Sequence, residues 1–142
     1  MKKYFGAFLV VALGLLLFTN TSATLRKSGI EFSNIGFEAA MKKSSKSGKL
    51  IFIDAYTDWC IPCKKMASTS FMDEEVGEVF NANFINLKVE MEKEADGQQI
   101  AARYRVNSYP TLLIIDGDGN LVKQLIGFQS KDRLLALAES VL

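Results

Sequence analysis

Leu50-Ile51-Phe52-Ile53-Asp54-Ala55-Tyr56 runs through Thr57-Asp58 into Trp59-Cys60-Ile61-Pro62-Cys63-Lys64, and this stretch holds both cysteines of the chain. It opens on a continuous apolar run, the pattern of a central strand covered on both faces. From Cys60 to about Ser68 the pattern predicts a helix. Pro62 fits its first turn, where N–H groups lack intrahelical partners and a missing donor costs little. Two cysteines two residues apart, between a strand and a helix, are placed to switch between dithiol and disulfide.

The chemistry follows from the helix terminus, where unpaired N–H groups and aligned peptide dipoles favour negative charge. A Cys60 thiolate placed there has its pKa drawn from about 8.5 toward roughly 7 or below. Lys64 and Lys65, one turn on, add positive potential. Cys63 falls on the same helix face one turn inward, the place for a resolving thiol that attacks a mixed disulfide formed on Cys60.

Working outward, 142 residues with 49% hydrophobic content suffice for one compact domain. Lys2 and Lys3 precede an uncharged apolar run from Tyr4 to Phe18, followed by Thr19-Asn20-Thr21-Ser22-Ala23. That run is short for a bilayer span of about 20 residues. Residues 1–23 therefore read as a cleaved secretory signal rather than a retained anchor, and residues 24–34 as a polar leader. Losing two of the 17 basic residues and none of the 16 acidic ones moves the net charge from +1 to about −1. Such a balance argues against a nucleic-acid partner, which calls for a concentrated basic patch. The reading is of an exported, periplasmic protein. It meets a membrane only if the N-terminal segment is retained.

Histidine is absent, which removes Cys-His and Ser-His nucleophilic catalysis and leaves too few soft ligands for a tetrahedral zinc site within one chain. A dimer sharing four cysteines around a metal or cluster stays open. A structural disulfide is the plainer alternative, but so small a loop removes little unfolded-state entropy.

Elsewhere, Phe37–Lys43 has helical spacing, and residues 42–49, rich in serine and lysine, read as a loop. A break near Ser70 precedes a helix capped by Asp73 and running through Phe80. Residues 84–89 form the next strand, and residues 98–104 a short helix. Pro110 opens a strand over residues 111–115, since proline cannot donate to a ladder. Asp116-Gly117-Asp118-Gly119 turns it into residues 121–125 as an antiparallel hairpin, and residues 131–142 close the chain as an amphipathic helix. The whole predicts a mixed sheet with helices on both faces, an α/β fold. The acidic run Glu90, Glu92, Glu94, Asp96 reads as a solvated surface, since it lacks the ligand spacing of a calcium loop. Tyr56, Tyr109 and Phe128 are candidates for the rim of a partner groove, or simply core.

These residues together carry a resemblance. From about Ile30 to Leu142 the chain resembles the thioredoxin-like superfamily. The anchors are Ile53-Asp54 six residues before the first cysteine, Trp59-Cys60-Ile61-Pro62-Cys63-Lys64, Lys88, Tyr109-Pro110-Thr111, and Gly127 after the hairpin. Phe71-Met72-Asp73-Glu74-Glu75-Val76 is similar to an exported subgroup that includes the carboxy-terminal domains of transmembrane thiol-disulfide interchange reductases.

The resemblance implies a three-layer α/β/α sandwich over residues 35–142. It also implies a cis peptide bond before Pro110, with Pro110 against the sulfurs and the Tyr109 backbone free to pair with an extended substrate. By the same resemblance Asp54 is the buried acceptor of the Cys63 proton through a water, Lys88 is its neighbour, and Gly127 leaves room for substrate backbone. Asp54 reads equally as a strand-end carboxylate accepting backbone N–H groups, and Lys88 as a solvated strand-end charge. Trp59, Ile61, Pro62, Tyr109 and Gly127 are the expected substrate contacts. No cofactor is called for, because the two sulfurs are the redox centre.

The implied partners of this monomer are disulfide-containing proteins and a protein electron donor. Ile61 stands where the cytosolic pattern has glycine. With no histidine to stabilise the thiolate, a reductant-leaning enzyme is expected. The alternative from another class is a redox-inert module that uses the same groove to hold unfolded segments.

Overall fold

A computed structural model describes residues 28–142. The expected signal over residues 1–23 and the first part of the expected leader lie outside the described residues. In chain order the elements are α1 (Phe37–Ser47), β1 (Leu50–Tyr56), α2 (Ile61–Ser68), a 3₁₀ turn (Ser70–Met72), α3 (Glu74–Asn83), β2 (Phe84–Glu90), α4 (Ala95–Tyr104), β3 (Thr111–Ile115), β4 (Leu121–Ile126) and α5 (Lys131–Glu139).

The strands form one sheet in the order β2-β1-β3-β4. β1 and β2 are parallel, joined by a crossover through α2 and α3, while β3 is antiparallel to β1 and to β4. The apolar run of β1 is explained by this central position. Alternation sends Ile51, Ile53 and Ala55 into a cluster with Phe37, Ala40, Ile100 and Tyr104, so α1 and α4 cover that face. Phe52 goes to the opposite face, against Met66, Val76, Phe80 and Leu134 of α2, α3 and α5. Asp54 shares the parity of Phe52 and is therefore a carboxylate on an otherwise apolar face.

The Asp73 cap predicted from sequence is in place, and α5 has a cap of the same kind. Asp73 accepts from the N–H groups of Glu75 and Val76 at the start of α3, and Ser130 does so from Arg133 at α5. The helix at residues 37–47 corrects the sequence reading, which made residues 42–49 a loop. Its serines are not competing with the helix for backbone groups, because their hydroxyls bond groups outside the helix. Ser44 is buried and bonds the Lys49 carbonyl, and the Ser45 hydroxyl donates to the Gly117 carbonyl at 2.9 Å. The helix stops at Gly48, which adopts the left-handed backbone (φ 73°) and returns its N–H to the Ser44 carbonyl.

Candidate active site

The cysteines meet at the C-terminal end of β1. Cys60 is the N-cap of α2 and Pro62 lies in its first turn. The helix is short, but its first N–H groups still need partners. One of them, the N–H of Cys63, donates to the Cys60 sulfur at 3.2 Å, and the Cys60 N–H is tied back to the Thr57 carbonyl at 3.1 Å. Cys60 and Cys63 are joined as a disulfide with 5.3 Å between their Cα atoms.

In this oxidised state neither cysteine is open to solvent, at 2% and 3% exposure, whereas Trp59 and Ile61 on either side are 64% and 78% exposed. An attacking Cys60 thiolate, the expectation from sequence, calls for an accessible sulfur. The structure differs because the sulfur turns inward over the helix start to bond Cys63.

The register of the sheet assembles the second part of the site. Asp54 is directly opposite Lys88 on β2 and Leu112 on β3. Asp54 is 1% exposed. Its Oδ2 lies 3.8 Å from the Lys88 ammonium, and its Oδ1 has no hydrogen-bond partner. The strand-end reading, in which Asp54 accepts backbone N–H groups, does not describe this arrangement. Burial pushes the carboxyl up to about 7, an increase that the Lys88 charge partly offsets. Lys88 is likewise not a freely solvated charge: its ammonium lies 4.5 Å from the centre of the Tyr56 ring and 5.9 Å from that of Phe32.

Across from the helix, the Tyr109-Pro110 peptide bond is cis and Pro110 is buried. The Pro110 carbonyl accepts the Gly127 N–H at 2.8 Å. Gly127 has φ 86°, a conformation that side-chain-bearing residues rarely adopt, and a Cβ built there meets nothing within 4 Å. Tyr109 packs edge-on to Trp59, with 6.0 Å between ring centres. Phe128 is exposed, with the Lys65 ammonium 5.1 Å above it.

Two residues escape the sequence reading. Glu90 belongs to the acidic run read as solvated surface, yet it is only 4% exposed. Its carboxylate accepts the Asp58 N–H at 3.1 Å from the loop ahead of Cys60, and the N–H groups of Glu92 and Lys93 from its own loop. The rest of the run agrees with sequence only in part. Glu92 is exposed but accepts the Trp59 indole N–H at 3.0 Å, and Asp96 caps α1 by accepting the Phe37 N–H at 2.7 Å. Strand parity, which sets Glu90 beside Lys88, was the available signal. Gln129, also buried, donates from its amide to the Ile126 and Gly127 carbonyls. Its position two residues after the glycine gave no sign of that.

A family model described as a thioredoxin-like domain matches residues 37–142. The chain is 31% identical over 108 residues to the thiol:disulfide interchange protein DsbD of Colwellia psychrerythraea, covering 73% of this chain and 18% of that protein. It is 37% identical over 91 residues to Thioredoxin-T of Drosophila melanogaster, covering 64% of this chain and 53% of that protein. The chain thus spans about a fifth and about half, respectively, of these relatives. Among solved structures, a disulphide-isomerase candidate from Bacteroides thetaiotaomicron superposes with a TM-score of 0.69 at 36% identity, over 81% of this chain and 97% of that one. The reduced carboxy-terminal domain of Neisseria meningitidis DsbD gives 0.60 at 27% identity, over 72% and 91%.

Proposed function

The chain belongs to the thioredoxin-like domain family, and on that premise we propose that it is a thiol-disulfide oxidoreductase that reduces disulfides in partner proteins outside the cytoplasm. The observation that carries the reading is the Cys63 N–H aimed at the Cys60 sulfur at the start of α2. When the pair is reduced, the same donor and the helix terminus stabilise a Cys60 thiolate.

The reaction balances with sulfur alone. The Cys60 thiolate attacks one sulfur of the partner disulfide, forming a mixed disulfide and expelling the other partner sulfur as thiolate. The Cys63 thiol gives its proton to Asp54 and attacks the Cys60 sulfur. This releases the second partner thiolate and closes the Cys60–Cys63 disulfide. Two electrons pass to the partner, and a donor dithiol protein returns them. A carboxyl near 7 suits this step, because at neutral pH a large share of it is ionised and ready to accept.

An extended partner segment pairs with the backbone at Tyr109 and runs past Gly127, whose missing side chain leaves the space open. Trp59, Ile61 and Pro62 face it as an exposed apolar rim. Ile61 between the cysteines and the absence of histidine favour the reductive direction. Residues 1–23 supply the export signal, and mass spectrometry of the exported protein would find its N-terminus near Thr24.

Insulin reduction by dithiothreitol is the direct test. The wild-type protein accelerates it and Cys60→Ser abolishes the acceleration. Cys63→Ala accumulates mixed disulfides on Cys60. Turnover that is the same with and without Cys60 would overturn the reading in favour of a module that only holds unfolded segments. A glutathione titration returning a strongly oxidising potential would reverse the proposed direction.

A further inference from the structure

The segment ahead of the matched domain, residues 29–33, is fastened along the free edge of β2 and over the turn after α2. Ile30 N–H donates to the Phe71 carbonyl at 2.7 Å and Ser33 N–H to the Asn86 carbonyl at 2.8 Å. Glu31 N–H donates to the Asn81 side chain, whose amide donates back to the Gly29 carbonyl, and the Asn86 amide donates to the Glu31 carbonyl. The approach is close enough to require two glycines. A Cβ on Gly77 would lie 2.4 Å from the Gly29 oxygen, and Gly29 itself has φ 89°.

The strap delivers one aromatic ring to the core. Phe32 packs edge-on to Phe71 at 5.5 Å and against Phe52 at 6.4 Å. The Lys88 ammonium lies over its ring at 5.9 Å from the centre and over that of Tyr56 at 4.5 Å. Lys88 is a long, partly exposed side chain, and water competes for its charge. Ring faces attract an ammonium by their quadrupole, and rings fixed by packing do so without being ordered anew.

We propose that Phe32 is a positioning residue: with Tyr56 it holds the Lys88 ammonium against the Asp54 carboxylate, so that chain outside the matched domain sets the charge beside the proton acceptor. The consequence for turnover rests on the proposed role of Asp54, but the electrostatic coupling itself does not. The surroundings of Asp54 leave few other candidates. Lys88 faces it from β2, Tyr56 interacts with it from β1, and β3 presents Leu112. The side chains that α2, α3 and α5 pack onto this face are apolar, Met66, Phe80 and Leu134 among them. Lys88 lowers the carboxyl pKa against the larger effect of burial, so releasing Lys88 raises it.

The test is the titration of the Asp54 side-chain carboxyl carbon by NMR in the disulfide form, where neither cysteine titrates. Phe32→Leu moves the midpoint upward by roughly half a pH unit, the size of a partly exposed cation–π contact. Lys88→Met moves it further, and Phe32→Leu adds nothing in the Lys88→Met background. Pentafluorophenylalanine at position 32 keeps the ring's shape, reverses its charge distribution and reproduces the upward shift, which covers the case in which the leucine variant folds poorly. An unmoved midpoint with the fluorinated ring, or the same shift with Lys88 removed, overturns the proposal. Loss of insulin reduction in the wild-type protein while these shifts persist would instead count against the proposed function.

Discussion

Asp54 is the residue at which stability and the proposed proton transfer pull in opposite directions. Its folded value of about 7 lies above its ordinary 3.8, so between those pH values the native state binds a proton that the unfolded chain has released. The contribution of this one group to native stability is then greatest at and below about pH 4 and is lost as pH rises through 7, by at most about 4 kcal/mol. Asp54→Asn removes the ionisation. Urea denaturation should show the variant gaining stability over wild type at pH 8 and matching it at pH 4. If Asp54 takes the Cys63 proton as proposed, the same substitution should slow resolution of the mixed disulfide, most of all near neutral pH, since at higher pH the thiol ionises without a base. The slowing is seen as longer-lived adducts on Cys60 in quenched reactions. The acidic identity of Asp54 and its spacing from Cys60 were legible in the sequence. Its orphaned oxygen was not, because only the pairing of β1 with β2 and β3 decides what stands beside it.

Among the elements, the two loops flanking the disulfide act as one unit through Glu90. Three backbone N–H groups converge on its carboxylate, one from the loop ahead of Cys60 and two from the loop after β2. Hydrogen bonds to a charged group are worth about 1.5–3 kcal/mol each, and their donors are costly to leave unpaired. Glu90→Ala is expected to destabilise the protein by about 3 kcal/mol in chemical denaturation. Hydrogen exchange at the amides of Asp58, Glu92 and Lys93 should quicken well beyond the change at β3.

This element was misread from sequence because alternating acids look alike whether they face water or a ring of N–H groups. The same limit shortened α1, since serines that cap loops in one context bond distant carbonyls in another. The strands, the Asp73 cap, the hairpin and the helix start at Cys60 were legible because each is fixed by local rules of period, capping and proline geometry. Long-range partners such as Ser45 with Gly117 obey no local rule.

At the scale of the whole molecule, the fold extends past the matched domain into residues 29–33, joined at a contact only glycine allows. Gly77→Ala forces its new methyl carbon onto the Gly29 carbonyl, where backbone must move. The expected outcome is a loss of a few kcal/mol, in the range of other overpacked sites, together with proteolytic release of the segment before Phe37. An unchanged melting temperature would show that the strap gives way freely. The strap also makes the two borders of the sheet unequal. β2 is hemmed by Ser33 and Glu31, whereas β4 lies at the far border with Leu121, Val122 and Ile126 exposed. Among the described residues the border open to growth by another copy is that of β4, so at high concentration the first fibre nuclei should start there, and Val122→Lys should delay them.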